Sequence, residues 1–260
     1  MAAAVAEAGR RSHGAERTLR AMLHREETGS GPPLVTVHGA WADGRHWTRF
    51  AGELDGFRAI TYDRRGHGRS GGSHESVERD VEDLAELIRD AGGEAHVVGG
   101  SLGGSIALKL AAAQPDLFLS LAVHEPALPG LLAGTQSAPT HSGPAPDART
   151  FAENSLGEGA WTRLTDDERR GFEDNRDAWT AEMADPGGFT MDTSALESFD
   201  RPLLVTVGGA SPPFWRSIAE ALPGARIETV DGAGHLPQLS HAAAYAEIVR
   251  SFASAAAARR

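Results

Sequence analysis

The chain has 260 residues, 40% hydrophobic and 23% charged, enough to bury one sizeable core, alone or with an insertion. Acidic residues (36) outnumber Lys and Arg (25), and the formal net charge of -11 excludes a general nucleic-acid footprint and is repelled by an anionic membrane surface. Cysteine is absent, which excludes disulfides, a thiol nucleophile and Cys-ligated zinc. The opening "MAAAVAEAGRRSHGAER" lacks the long apolar stretch of a signal peptide, and Glu7 and Glu16 argue against a transit peptide. Residues 1–16 are expected to be a frayed tail, and the chain to be a cytoplasmic protein with no membrane span.

From residue 17 the elements come in a regular order. "TLRAMLHREETGSGPP" predicts an initial strand or two and a turn. "LVTVHG" (34–39), counted as the third strand, is a short β-rich run of the buried kind. "RAITYDRRGHGRS" (58–70) predicts a strand and a polar Gly-rich loop. In "ESVERDVEDLAELIRDAGG", Val77, Val81, Leu84, Leu87 and Ile88 fall at helical spacing and "AGG" supplies the stop. "AHVVGG" (95–100) is a strand, "GSIALKLAAAQP" a helix ended by Pro115, and "LFLSLAVHEP" (117–126) a strand with Glu125 at its end. "RPLLVTVGGASPP" (201–213) and "ARIETVDGAGH" (225–235) carry further strands around the helix "FWRSIAEALPG", and "HAAAYAEIVRSFASAAAA" closes the chain as a helix. Alternating strands and helices imply an α/β fold, a mostly parallel central sheet covered on both faces.

Residues 127–198 break this rhythm with a Pro/Gly/Ser/Thr-rich opening and a polar, helix-prone remainder. A structureless loop of that length is improbable, so an inserted helical cap is expected there. The core then consists of residues 17–126 and 199–260.

Four glycines surround Ser101 in "HVVGGSLGGSIALKL". A serine at a tight strand-to-helix turn is bent into a strained conformation, and residues two before and two after it approach closely. Gly99-Gly100-Ser101-Leu102-Gly103 meets the G-x-S-x-G pattern in that context and marks Ser101 as a candidate nucleophile. The helix that begins there points its positive end at the serine. A phosphate loop is excluded because Ser105-Ile106, not Lys-Ser/Thr, follows Gly104, and Ser101 interrupts a dinucleotide-binding G-x-G-x-x-G.

With "LVTVHGA", "YDRRGHGRS", "VVGGSLGG", "PLLVTVGG" and "VDGAGHLPQ" in this order, the chain resembles the capped serine-hydrolase branch of the α/β-hydrolase superfamily. The resemblance implies that His235 in "GAGH" is the general base. His38 would shape the oxyanion loop; His67 lies in the Gly-rich loop, His96 begins a strand, His241 opens the last helical segment, and His24, His46 and His74 have no motif around them. The family's usual acid after "PLLVTVGG" is absent, because Gly208-Gly209-Ala210-Ser211 carries no carboxylate. Asp231 looks like a turn residue and Asp200 lies at the wrong end of its strand. Some relatives carry the acid after the strand that follows the nucleophile helix, which implies Glu125. The backbone N–H groups of Ala40 and Leu102 would form the oxyanion hole, and Trp41, Phe214 and Trp215 would line the substrate cleft.

The implied activity is acyl transfer to water through a Ser-His-Glu triad, on an ester, lactone, thioester or related small molecule, without metal or organic cofactor. A non-hydrolytic lyase, perhydrolase or cyclase on the same fold, or a catalytically silent ligand-binding relative, are the alternatives. The expected partner is a small-molecule substrate, with no nucleic acid or membrane, and the chain is expected to be a monomer or homodimer.

Overall fold

The computed structural model describes residues 22–132 and 146–258. The expected tail over 1–16 and the start of the first predicted strand region lie outside the described residues, as does 133–145 of the insertion.

Apolar runs without a polar alternation become the inner strands. The strands β1 (Arg25–Gly29), β2 (Pro33–Val37), β3 (Arg58–Tyr62), β4 (Ala95–Gly100), β5 (Phe118–His124), β6 (Leu203–Gly208) and β7 (Arg226–Val230) form one sheet in the order β1-β3-β2-β4-β5-β6-β7. Only β1 is antiparallel, paired with β3; the other five pairings are parallel. Among the described residues one strand, not two, precedes "LVTVHG". That strand is "REETG", largely exposed; its charges guard an edge that would otherwise invite pairing with another chain.

Successive residues of each inner strand face opposite sides, and both sides are apolar. Val35, Ile60, Val97, Leu121 and Val205 pack with Leu84, Ile88, Ile106 and Leu110, from the helices α2 (Val77–Ala91) and α3 (Leu102–Ala113). Their neighbours Leu34, Ala59, Val98, Ala122 and Leu204 pack on the other face against Phe50, Tyr245 and Val249, from α1 (Thr48–Gly52) and the closing helix α9 (Ala242–Ala257). Helix α2 starts where the Ser76 hydroxyl accepts from Arg79 N–H at 3.2 Å and stops at Gly92, whose φ of 140° suits glycine.

Between β5 and β6 the described residues of the insertion form three short α-helices, α4 (Ala148–Leu156), α5 (Asp166–Glu173) and α6 (Arg176–Ala184). Thr165 and Glu168 form a reciprocal cap at the start of α5. A third apolar cluster holds the insertion to the core, with Ala152, Leu164, Phe172 and Trp179 against Trp41, Leu236 and Leu239. After β6 come α7 (Phe214–Glu220), β7 and a one-turn helix α8 (Pro237–Ser240). Because β2 to β7 run in one direction, the loops after Val37, Gly100, His124, Gly208 and Val230 gather at one edge of the sheet, the edge where such sheets carry ligand sites.

Candidate active site

Ser101 sits one residue beyond β4, with φ 52° and ψ −125°. A side chain in that region of backbone space is strained, and the surroundings hold it. Its N–H donates to His124 O at 2.9 Å, and its carbonyl accepts from Gly104, Ser105 and Ala127. The flanking glycines are required by space: a Cβ on Gly99 would stand 2.6 Å from Gly103 O, and one on Gly103 would run into the Val37 carbonyl. Gly39 presses on the serine itself, since a Cβ there would lie 3.0 Å from Ser101 Cβ.

Glu125 occupies the matching place on the next strand. Gly100 pairs with His124, so Ser101 and Glu125 each follow a paired residue at adjacent strand ends. Glu125 is the second strained residue there, with φ 43°, and is fully buried. Its backbone N–H donates to Thr206 O at 3.1 Å, Gly208 N–H donates to Oε1 at 2.9 Å, and Oε2 lies 2.6 Å from His235 Nδ1. Burial alone would raise the Glu125 pKa, but the His235 hydrogen bond, followed by His124, brings it below the ordinary carboxylate value. The glycine pair after β6 carries no carboxylate of its own, and Gly208 donates its backbone N–H to Glu125. Asp231 is an exposed turn residue, and Asp200 is an exposed partner of Arg201 at the other end of β6.

His235 presents Nδ1 to Glu125 and stacks on Trp215 with ring centroids 4.7 Å apart and an angle of 19°. Behind the pair, His124 Nε2 lies 3.3 Å from Gly234 O and Nδ1 lies 3.0 Å from Thr206 Oγ1. Burial pushes the His124 pKa down to about 4, so the ring is neutral and supports the turn that carries His235. Nothing in spacing marked His124, which sits inside an apolar strand run.

A cleft of about 460 Å³ opens beside His235. Phe151, Leu156, Ala210, Pro212 and Trp215 supply apolar walls, with Asn154, Ser155 and Ser211 as polar points. Of the three aromatics expected to contact substrate, Trp215 lines this cleft and Trp41 and Phe214 do not. Trp41 is wholly buried, stacked on Phe151 at 4.9 Å and near Trp179 at 4.7 Å, and its Nε1–H donates to Phe172 O at 2.6 Å. It joins core to insertion. Phe214 is 43% exposed and packs on the outer side of Trp215. A run of aromatic letters does not show which ring faces inward, and here the first turn of α7 turns Trp215 in and Phe214 out.

The loop after β2 is held from behind. Arg64 N–H donates to His38 Nε2 at 2.8 Å, so His38 Nδ1 carries the proton and donates to Gly39 O at 2.9 Å. Burial, then the Arg64 charge, keeps His38 well below its usual pKa and neutral. Arg64 also donates to His38 O and Gly39 O, each at 3.1 Å. Its remaining contacts run to Asp80 Oδ2 at 2.6 Å, to Glu182 of the insertion and to His67 Nε2 at 3.4 Å. Burial would raise the Glu182 pKa, yet Arg64 and His67 hold it down at about 2. His74, Asp80 and Glu182 bring one ligand atom each within 4.8 Å, but the Arg64 guanidinium already supplies positive charge to both carboxylates. Other polar ties cross between core and insertion, Asn175 to Asp43 at 2.9 Å and His46 to Glu168 O at 2.9 Å among them. Among the described residues no helix is long and apolar enough to cross a membrane.

A sequence profile described as Alpha/beta hydrolase family matches residues 34–248. Lipase LipV of Mycobacterium tuberculosis is 40% identical over 110 residues, 41% of this chain and 42% of that protein. The chain's matches span less than half the length of this relative and of a second curated one, the uncharacterized hydrolase YraK of Bacillus subtilis, 34% identical over 122 residues, 45% of each chain. Among solved structures, a thermophilic esterase from Thermogutta terrifontis superposes with a TM-score of 0.76 at 24% identity, over 90% of this chain and 93% of that one. An alpha/beta hydrolase from Sphaerobacter thermophilus does so with a TM-score of 0.63 at 29% identity, over 86% and 96%.

Proposed function

The chain belongs to the alpha/beta hydrolase family, and from that premise we propose that it is a serine hydrolase cleaving uncharged carbonyl compounds, esters first, through Ser101, His235 and Glu125. The 2.6 Å contact between Glu125 Oε2 and His235 Nδ1 carries the reading. A buried carboxylate on Nδ1 fixes the proton there and leaves Nε2 as the basic nitrogen, the arrangement a serine base needs. The uncharged walls of the cleft beside His235 favour a neutral substrate, because burying an unpaired ion against them would be costly.

In the proposed reaction, Nε2 of His235 takes the Ser101 proton as Oγ bonds to the carbonyl carbon. The carbonyl oxygen becomes an oxyanion facing the N–H groups of Ala40 and Leu102. As it collapses, the bond to the leaving group breaks and His235 returns the proton to the departing oxygen. Water then repeats the sequence on the acyl-serine, and Glu125 stabilises the imidazolium at each pass.

Incubation with a fluorophosphonate followed by intact-mass measurement tests this. One adduct is expected on the wild type and none on Ser101→Ala, with p-nitrophenyl ester turnover lost in the same variant. A folded wild type that neither labels nor turns over short and medium esters would overturn the reading.

A further inference from the structure

We infer that Arg64 is a positioning residue of the oxyanion hole, polarising the Gly39–Ala40 peptide from behind and tying it, through Glu182, to the docked cap. The inference rests on the serine-hydrolase reading and deepens it.

The peptide between Gly39 and Ala40 is planar and trans, so its C=O and N–H point in opposite directions. The Gly39 carbonyl accepts two hydrogen bonds, from Arg64 at 3.1 Å and from His38 Nδ1 at 2.9 Å. One donor is a buried cation. A carbonyl so engaged withdraws electron density along the amide and makes its N–H a stronger donor, an effect water does not dilute in a desolvated site. The same peptide lies against the nucleophile, since Gly39 has no room for a Cβ beside Ser101 Cβ and Gly100 O. Among the described residues the Ala40 and Leu102 N–H groups donate to no backbone carbonyl.

Arg64 is over-determined in this place. It is 1% exposed, and its charge is balanced by Asp80 from α2 and Glu182 from α6. Burial would lower its pKa, but Glu182 and then Asp80 raise it, so the guanidinium stays charged. Its planar fork reaches Asp80, Glu182, His38 O and Gly39 O together. A lysine has one donating centre and cannot span them. Glu182 belongs to the insertion, so cap docking and oxyanion-hole polarisation share one side chain.

The test compares wild type, Arg64→Lys, and Arg64→Met/Asp80→Asn/Glu182→Gln. The triple variant removes the cation with both carboxylates it neutralises, so no buried charge is left unpaired if Arg64→Lys fails to fold. Asp174→Asn is the control: it breaks another core–insertion pair, Arg45–Asp174, whose side chains are not the donors to the Gly39 carbonyl. The readings are kcat and KM on an activated ester, and affinity for a trifluoromethyl ketone whose adduct with Ser101 is an oxyanion. The folded Arg64 variants should lose about tenfold in kcat and in ketone affinity together, the scale of one charge-assisted bond, with KM unchanged. Unchanged kcat and ketone affinity, or an equal loss in Asp174→Asn, would overturn the inference. A wild type that neither labels with fluorophosphonate nor turns over ester would instead sink the hydrolase reading and take this inference with it.

Discussion

Glu125 and His235, 110 residues apart in the chain, meet at 2.6 Å through Oε2 and Nδ1. The acid's other oxygen is held by Gly208 N–H at 2.9 Å, so the carboxylate has one orientation. Glu125→Gln keeps the volume but offers an amide that can donate to Nδ1, which would put the imidazole proton on Nε2 and remove the base. We expect kcat/KM on an activated ester to fall by about 10²–10⁴, with fluorophosphonate labelling slowed in parallel and the folded fraction preserved. Activity within a few-fold of wild type would show that Glu125 does not orient the base.

The stack of Trp215 on His235 makes a second site testable. The ring forms one wall of the cleft and keeps water from one face of the imidazole. Trp215→Ala should raise KM for esters with bulky apolar groups by about tenfold, the worth of one aromatic wall against an apolar ligand, while Phe214→Ala changes it little. Steady-state kinetics across an ester series checks this, and equal effects of the two substitutions would contradict the inward and outward assignment.

The legible parts of this molecule are those specified locally. Ser101 announces itself because one turn needs Gly99 and Gly103 within two residues on either side, and the inner strands announce themselves by largely apolar runs. Glu125 is legible as a candidate acid through the family resemblance alone, because Gly208-Gly209 offers no carboxylate and some relatives carry theirs at the neighbouring strand end. The polar latch between core and insertion has no local signature. Arg64 and Glu182 are 118 residues apart, and each in isolation reads as a solvated charge, although both are buried. Trp41 illustrates the same limit, because whether an aromatic in the loop after β2 faces a cleft or packs under the insertion is decided by residues such as Phe151, Phe172 and Trp179, which lie over 100 positions away.

Buried neutral histidines make stability fall on mild acidification. His124 is 1% exposed in its side chain, and burial sets its folded pKa at about 4, against a value near 6.5 in an unfolded chain. Burial lowers His38 and His46 in the same direction. As pH falls below about 6.5 the unfolded chain takes up protons that the folded chain refuses, so the contribution present above that pH is lost down to the folded value. Glu182, depressed to about 2, contributes stability that begins to fail only below the unfolded carboxylate range near 4.5, so the histidines govern the slope between pH 6.5 and 4.5. The His124 shift alone corresponds to about 3 kcal/mol over its full window. Urea midpoints should therefore drop steadily from pH 7.5 to pH 5, and His124→Asn should be weaker at pH 7.5 but lose less on acidification. A wild-type midpoint independent of pH across this interval would mean that these rings are already protonated in the folded protein, in conflict with their burial.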